Sequence, residues 1–215
     1  MARAMTYKLV IFDFDGTLAD SFSWFVHNVN RAADRFRFKH IDPDNTQTLR
    51  NLGVREIMRR VELSPWKLPF IARFMRQAMA ADVSSIALFD GVAETFQQLS
   101  KQGSRIALVT SNSRENVLHI LGNENASHLE FWECNVAAFG KTRRLKKLVR
   151  ASGLQKREVL YVGDETRDAE AAHAAGIAFA GAGWGYSSQE ALAAVSGNPP
   201  LKQLSGVLDL LARSR

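Results

Sequence analysis

Leu9-Val10-Ile11-Phe12-Asp13-Phe14-Asp15-Gly16-Thr17-Leu18-Ala19-Asp20 is an apolar run that ends in two carboxylates one residue apart, with a glycine immediately after them. Side chains alternate along a strand, so Asp13 and Asp15 project to one side while Phe14 turns into a core. The stretch therefore reads as a strand that delivers charge to its own tip. Two acids that close repel one another unless a cation or a shared proton holds them, and hard oxygen ligands suit Mg²⁺. Gly16 lets the backbone turn sharply. A plain Asp-Gly turn is the competing explanation. At average residue usage, however, Asp-x-Asp-Gly-Thr arises by chance in only about a few chains per thousand of this length.

Working outward, Ser21 to about Phe38 carries an apolar stripe at helical spacing (Phe22, Phe25, Val26, Val29, Ala33 and Phe36), with Asp20 or Ser21 as its cap. Shorter helices are expected after Pro43, after Gly53 and after Ser64-Pro65, and no convincing strand falls between Asp20 and Ala87. Beyond Asp90-Gly91 the pattern alternates. Helices are expected over 92–101, 113–121, 141–151, 166–175, after Ser187 and over 204–213, and strands over 105–110, 131–136, 159–162 and 177–180. Such alternation implies an α/β fold with a doubly wound, Rossmann-like parallel sheet. Residues 1–19 and 87–215 would form that core, and 20–86 a small all-α insert after the first strand.

The chain has 215 residues, 46% of them hydrophobic, which is enough for a full core. No stretch approaches the roughly 20 apolar residues of a membrane span, and the N-terminus lacks the build of a signal peptide. Cys134 alone cannot form an internal disulfide. The expectation is a soluble cytoplasmic protein with no membrane partner and no implied oligomer. A net charge of +6 fits nucleic acid or a small anionic substrate equally well.

Three further places fall at strand ends or helix starts, where ligands gather in doubly wound sheets. In Ile106-Ala107-Leu108-Val109-Thr110-Ser111-Asn112, hydroxyls and helix-initiating amides follow a strand and suit phosphate oxygens, although Asn112 with Glu115 also reads as a capping box. Phe139-Gly140-Lys141-Thr142 puts a lysine at the start of a basic helix. A nucleotide P-loop is rejected there, because Asn135 stands where that motif needs its first glycine. In Val159-Leu160-Tyr161-Val162-Gly163-Asp164-Glu165-Thr166-Arg167-Asp168 a strand stops on Gly-Asp, with a second acid four residues on. Helix capping accounts for acids at that place but not for the abrupt stop.

In that order, these four stretches resemble the four motifs of the haloacid dehalogenase-like hydrolases, and the helical insert resembles the cap of phosphoglycolate phosphatase-type members. The resemblance implies that Asp13 is a nucleophile and Asp15 a general acid/base. It also implies that Thr110 (with Ser111 contributing an amide or second hydroxyl) and Lys141 engage phosphate. Mg²⁺ would be held by Asp13, the backbone carbonyl of Asp15, and Asp164, with Asp168 in support and Glu165 outside. The expected activity is hydrolysis of a small phosphorylated metabolite through an aspartyl-phosphate. Asp15 argues against a dehalogenase, whose leaving group needs no proton. A phosphosugar mutase and a non-catalytic protein on the same fold remain alternatives. A nucleic-acid binder is not expected, for want of base-reading or stacking elements. Arg50, Gly53 and Arg55 are read mainly as a solvated helix face, and Trp184-Gly185-Tyr186 as lining the site or packing a loop. The five histidines show no paired ligand spacing.

Overall fold

The computed structural model describes residues 7–42 and 46–213. Five parallel strands form one sheet in the order β3-β2-β1-β4-β5, with β1 Leu9–Phe12, β2 Arg105–Val109, β3 Leu129–Glu133, β4 Val159–Gly163 and β5 Ala178–Gly181. The strand carrying the paired acids is thus the central one. The chain adds β2 and β3 on one side of it and then returns to add β4 and β5 on the other, so the strand order reverses at β1.

Period-two alternation divides the sheet cleanly. Val10, Phe12, Ile106, Leu108, Leu160 and Val162 enter one core, while Leu9, Ile11, Ala107, Val109, Val159 and Tyr161 enter the other. The first core is covered by α5 (Val92–Lys101), α6 (Arg114–Ser127) and α10 (Gly206–Arg213); the second by α7 (Lys141–Ser152) and α8 (Thr166–Ala175). α9 (Gln189–Ser196) packs beside β5. Continuing the alternation past Phe12 sends Phe14 into the first core and turns Asp13 toward the side of α7 and α8.

Among the described residues between β1 and α5 the named elements are helical: α1 Phe22–Phe36, α2 Thr46–Arg50, α3 Val54–Arg60 and α4 Leu68–Asp82, with 3-10 turns at Pro65–Lys67 and Val83–Ser85. Where the helix expected after Pro43 begins, residues 43–45 lie outside the described part. Val29, Ile41 and Val61 centre a small apolar cluster of their own. The two crossings into this helical part run side by side, since Asp20 N–H donates to Ala87 O at 2.9 Å and Phe89 N–H to Leu18 O at 2.9 Å. None of the described helices is long and apolar enough to cross a membrane.

Three local expectations are corrected. β3 ends at Glu133, not at 136, because Asn135 takes a left-handed φ of 54° and Val136 N–H bonds back to Thr110 O at 3.0 Å. The helix expected to stop at 121 does break there, at Gly122 (φ 75°, ψ 159°), but then resumes to Ser127. Neither residue proposed to cap α1 does so through its side chain: Ser21 is the N-cap residue, and its hydroxyl is engaged by Asp15 instead.

Candidate active site

The tips of three adjacent strands converge. Asp13 follows β1, Thr110 follows β2 and Asp164 follows β4; all three are buried. Because the strands are parallel and in register at Phe12, Leu108 and Val162, residues as far apart in sequence as Asp13 and Asp164 reach one end of the sheet together. Asp13, Asp164 and Asp168 each offer a carboxylate oxygen, and these atoms lie within 4.8 Å of one another.

Lys141 enters from the first turn of α7, almost fully buried, and places Nζ 2.5 Å from Asp13 Oδ2 and 2.6 Å from Asp168 Oδ1. Burial alone would depress its pKa, but the two carboxylates outweigh it and hold the ammonium more firmly charged than usual. Asp168 is used on both oxygens: Lys141 and the Tyr161 hydroxyl donate to Oδ1, and Glu165 N–H to Oδ2 at 3.1 Å. Burial works against its charge, yet Lys141 and Arg167 keep its pKa below the usual carboxylate value. Asp168 therefore orients Lys141 and caps α8 in one geometry. Asp164 accepts from Thr17 Oγ1 at 2.7 Å and from Tyr186 N–H at 2.8 Å.

The remaining acids are short of positive charge. Burial, only partly offset by Lys141, pushes Asp13 up to about 7. Burial and then the neighbouring Asp13 charge push Asp164 well above the ordinary range, and burial raises Asp15. Of the four acids Asp13, Asp15, Asp164 and Asp168, Lys141 bonds Asp13 and Asp168, while Arg167 is paired with Glu165 at 2.5 Å. A hard divalent cation supplies the charge that this oxygen set lacks, so the donors fit Mg²⁺.

Asp15 is oriented from two sides, by Asn112 Nδ2 at 3.3 and 3.1 Å and by Ser21 Oγ at 3.1 Å. The capping-box reading of Asn112 with Glu115 is thereby corrected. Ser113 caps α6, accepting from Asn116 N–H at 3.2 Å, and the Asn112 amide faces Asp15. Thr110 is fully buried, its Oγ1 accepting from Asn112 N–H at 3.0 Å, which leaves the hydroxyl hydrogen free to be given elsewhere. Ser111 is half-buried and lines the cleft above.

That cleft has a volume of about 800 Å³ and runs from Asp15, Ser111 and Asn112 up between α1, α2, α3 and α4, where its walls are chiefly Phe, Leu, Ile, Val and Met. Arg50 is not on a solvated face. Its guanidinium lies 4.3 Å from the centre of the Phe22 ring and donates to Gly185 O at 2.6 Å. Arg55 stays exposed, over the Phe139 ring. Within Trp184-Gly185-Tyr186, Tyr186 lines the cleft and Trp184 packs against Phe89, donating to Thr17 O at 3.1 Å. Ser21 and Asn112 escaped the sequence reading as partners of Asp15, since hydroxyls and amides near helix starts are ordinary capping chemistry, whereas Tyr186 lies in the stretch read as lining the site or packing a loop. Thr17 also carried a signal, standing inside the Asp-Gly-Thr string.

Residues 10–182 match the sequence profile of the family described as haloacid dehalogenase-like hydrolase. A Synechococcus elongatus protein named phosphoglycolate phosphatase is 34% identical over 188 residues, covering 87% of this chain and 89% of its own. Among solved structures, CbbY from Rhodobacter sphaeroides, in complex with phosphate, superposes with a TM-score of 0.73 at 20% identity, covering 96% of this chain and 99% of that one. A haloacid dehalogenase-like family hydrolase from Streptococcus pneumoniae does so with a TM-score of 0.73 at 17% identity, covering 94% and 97%. At those identities the two structures share the fold.

Proposed function

The chain belongs to the haloacid dehalogenase-like hydrolases, and from that premise we propose that it is a Mg²⁺-dependent phosphatase that cleaves small phosphomonoesters, of phosphoglycolate or sugar-phosphate type, through an aspartyl-phosphate. The observation that carries this reading is the pairing at one sheet end of Asp13, braced by Lys141, with Asp15, held separately by Asn112 and Ser21. Two carboxylates in unlike settings suit unlike roles.

Asp13 attacks phosphorus with one carboxylate oxygen, and Asp15 gives its proton to the departing alkoxide oxygen. In the second half Asp15 takes a proton from water, whose oxygen attacks phosphorus, and Asp13 leaves as a carboxylate. Lys141 offsets the charge gathered on Asp13 and the phosphoryl oxygens, and Thr110 donates its free hydroxyl hydrogen to one of them. Asp13 and Asp164, with the Asp15 carbonyl and Asp168 behind them, would hold Mg²⁺. Its chemistry there is to neutralise phosphoryl charge. Residues 20–86 act in this reading as a cap that shields the cleft from bulk water. The lone Cys134 is consistent with a reducing, cytoplasmic location.

The test is phosphate release from phosphoglycolate, sugar phosphates, nucleotides and pyrophosphate, with and without Mg²⁺, while also assaying for isomerised sugar phosphate. Metal-independent turnover, or isomer in excess of free phosphate, overturns the reading. A larger ester with an apolar alcohol is the second reading, favoured by the volume and apolar walls of the cleft, which exceed what a two-carbon acid fills. A series of n-alkyl phosphates decides it: KM that falls with chain length supports the larger substrate, and KM that does not fall removes it.

A further inference from the structure

Tyr186 stands at the junction of three parts of the molecule. Its backbone N–H is bound by Asp164 at 2.8 Å, and its ring packs edge-on against Phe22 (5.1 Å between centroids) and tilted against Phe25 (5.5 Å), both on α1. Its hydroxyl lies 3.0 Å from Ser21 Oγ, which in turn lies 3.1 Å from Asp15 Oδ1. Ser21 is fully buried. The close approach that makes this possible depends on Gly16, where a Cβ would come within 2.5 Å of Tyr186 Cδ1. The ring is thereby fixed in place, and its hydroxyl with it.

We propose that Tyr186, acting through the Ser21 hydroxyl, is a positioning residue that orients the Asp15 carboxyl for proton exchange with the leaving group and then with water. The proposal rests on the reading of Asp15 as the general acid/base. Its physical ground is donor and acceptor capacity. Asn112 reaches Asp15 through an amide nitrogen, which only donates. A hydroxyl both donates and accepts, and in the Ser21–Tyr186 contact either oxygen can be the donor. While Asp15 is ionised, the order runs Tyr186 O–H to Ser21 Oγ and Ser21 O–H to Asp15. That order keeps Asp15 Oδ1 as an acceptor and leaves the carboxyl proton to Oδ2, away from Ser21. With no Tyr186 hydroxyl, Ser21 Oγ loses the contact that fixes its rotor, and the Asp15 carboxyl loses the orientation needed to protonate the leaving group.

The experiment compares two esters in the same Mg²⁺-loaded preparations: n-propyl phosphate, whose alkoxide needs a proton on departure, and para-nitrophenyl phosphate, whose phenolate does not. kcat/KM reports the first phosphoryl transfer and so isolates the leaving-group step. Tyr186→Phe and Ser21→Ala should each lower kcat/KM for n-propyl phosphate by about ten- to a hundredfold and change that for para-nitrophenyl phosphate less than about threefold. Ser21→Thr keeps the hydroxyl and should restore most of the loss. Equal losses on both esters mean a merely structural role and overturn the proposal, as does an unchanged value on both. A wild-type protein inactive on both esters removes the phosphatase reading itself, and the proposal with it. Retained para-nitrophenyl phosphate turnover keeps that reading apart from this one.

Discussion

Lys141 sets its ammonium 2.5 Å from Asp13 Oδ2 across 128 residues of sequence, with both side chains almost completely out of solvent. A buried pair of this kind is costly to break, because the surviving partner is left charged and dry, at roughly 3–5 kcal/mol. Asp168 shares the same ammonium, so removing it strands two carboxylates.

Lys141→Met should therefore lower kcat by about 10²- to 10³-fold, the size expected when one charge-stabilising donor is lost from a site. It should also lower Tm, and added Mg²⁺ should recover part of that loss by supplying the missing charge. Thermal unfolding with and without Mg²⁺ checks both statements. A Tm equal to wild type in metal-free buffer would show that the pair is not buried as described.

Mg²⁺ affinity should rise with pH. Burial pushes Asp13 up to about 7 from an ordinary 3.8, so the metal-free folded state keeps a proton that the unfolded chain has released. A raised carboxyl favours the fold most at a pH below the unfolded value, and that contribution is lost as pH climbs through 7. Binding Mg²⁺ demands the ionised form and expels the proton, which makes the Kd fall by up to about tenfold per pH unit below 7 for each proton released. Calorimetric titrations from pH 5.5 to 7.5 in two buffers of different ionisation enthalpy measure this. A flat Kd over that range would refute it.

Gly185→Ala tests how closely the loop after β5 must approach the metal-binding acids. A Cβ at 185 would fall 2.2 Å from Asp164 Cβ and 2.5 Å from Gly16 O, neither of which can swing away as a side-chain tip can. The expected cost is about 1–3 kcal/mol, or a drop in Tm of about 2–4 °C for each kcal/mol in a chain of this size. Weaker Mg²⁺ binding should accompany it as Asp164 is displaced. An unperturbed Tm together with wild-type metal affinity would show that the loop relaxes freely.

Replacing residues 20–86 with a short Gly/Ser linker should leave a folded α/β part, because the two crossings are hydrogen-bonded neighbours and need no long span. That protein should still hydrolyse para-nitrophenyl phosphate in Mg²⁺ but lose its preference among natural phosphates. Met79 and Ile86 belong to the main core, so some loss of stability is expected. An unfolded product by circular dichroism would show that the helical part is not a separable cap.

Strand and helix alternation determined the parallel sheet. Period-two and 3.6-residue patterns report which faces are buried, and that is local information. Asp13, Asp15, Asp164 and Lys141 were legible because an apolar strand that stops on Gly or Asp, or a helix that starts on Lys, has no need of those residues for folding alone. Their assembly was not. Only the parallel register of β2, β1 and β4 put Thr110, Asp13 and Asp164 at one end, and only the packing of α7 beside α8 brought Lys141 between Asp13 and Asp168. The contacts that Ser21, Asn112 and Tyr186 make around Asp15 were beyond reach of the sequence for a different reason. Each has ordinary local employment as a cap or a core ring, and what turned Ser21 and Asn112 toward Asp15, with Tyr186 against Ser21, was the three-dimensional placement of a carboxylate whose hydrogen bonds had to be met once water was excluded. Arg50 was misread on the same account: a basic residue in a short helix looks solvated until the loop after β5 offers it the Gly185 carbonyl and Phe22 offers it a ring face.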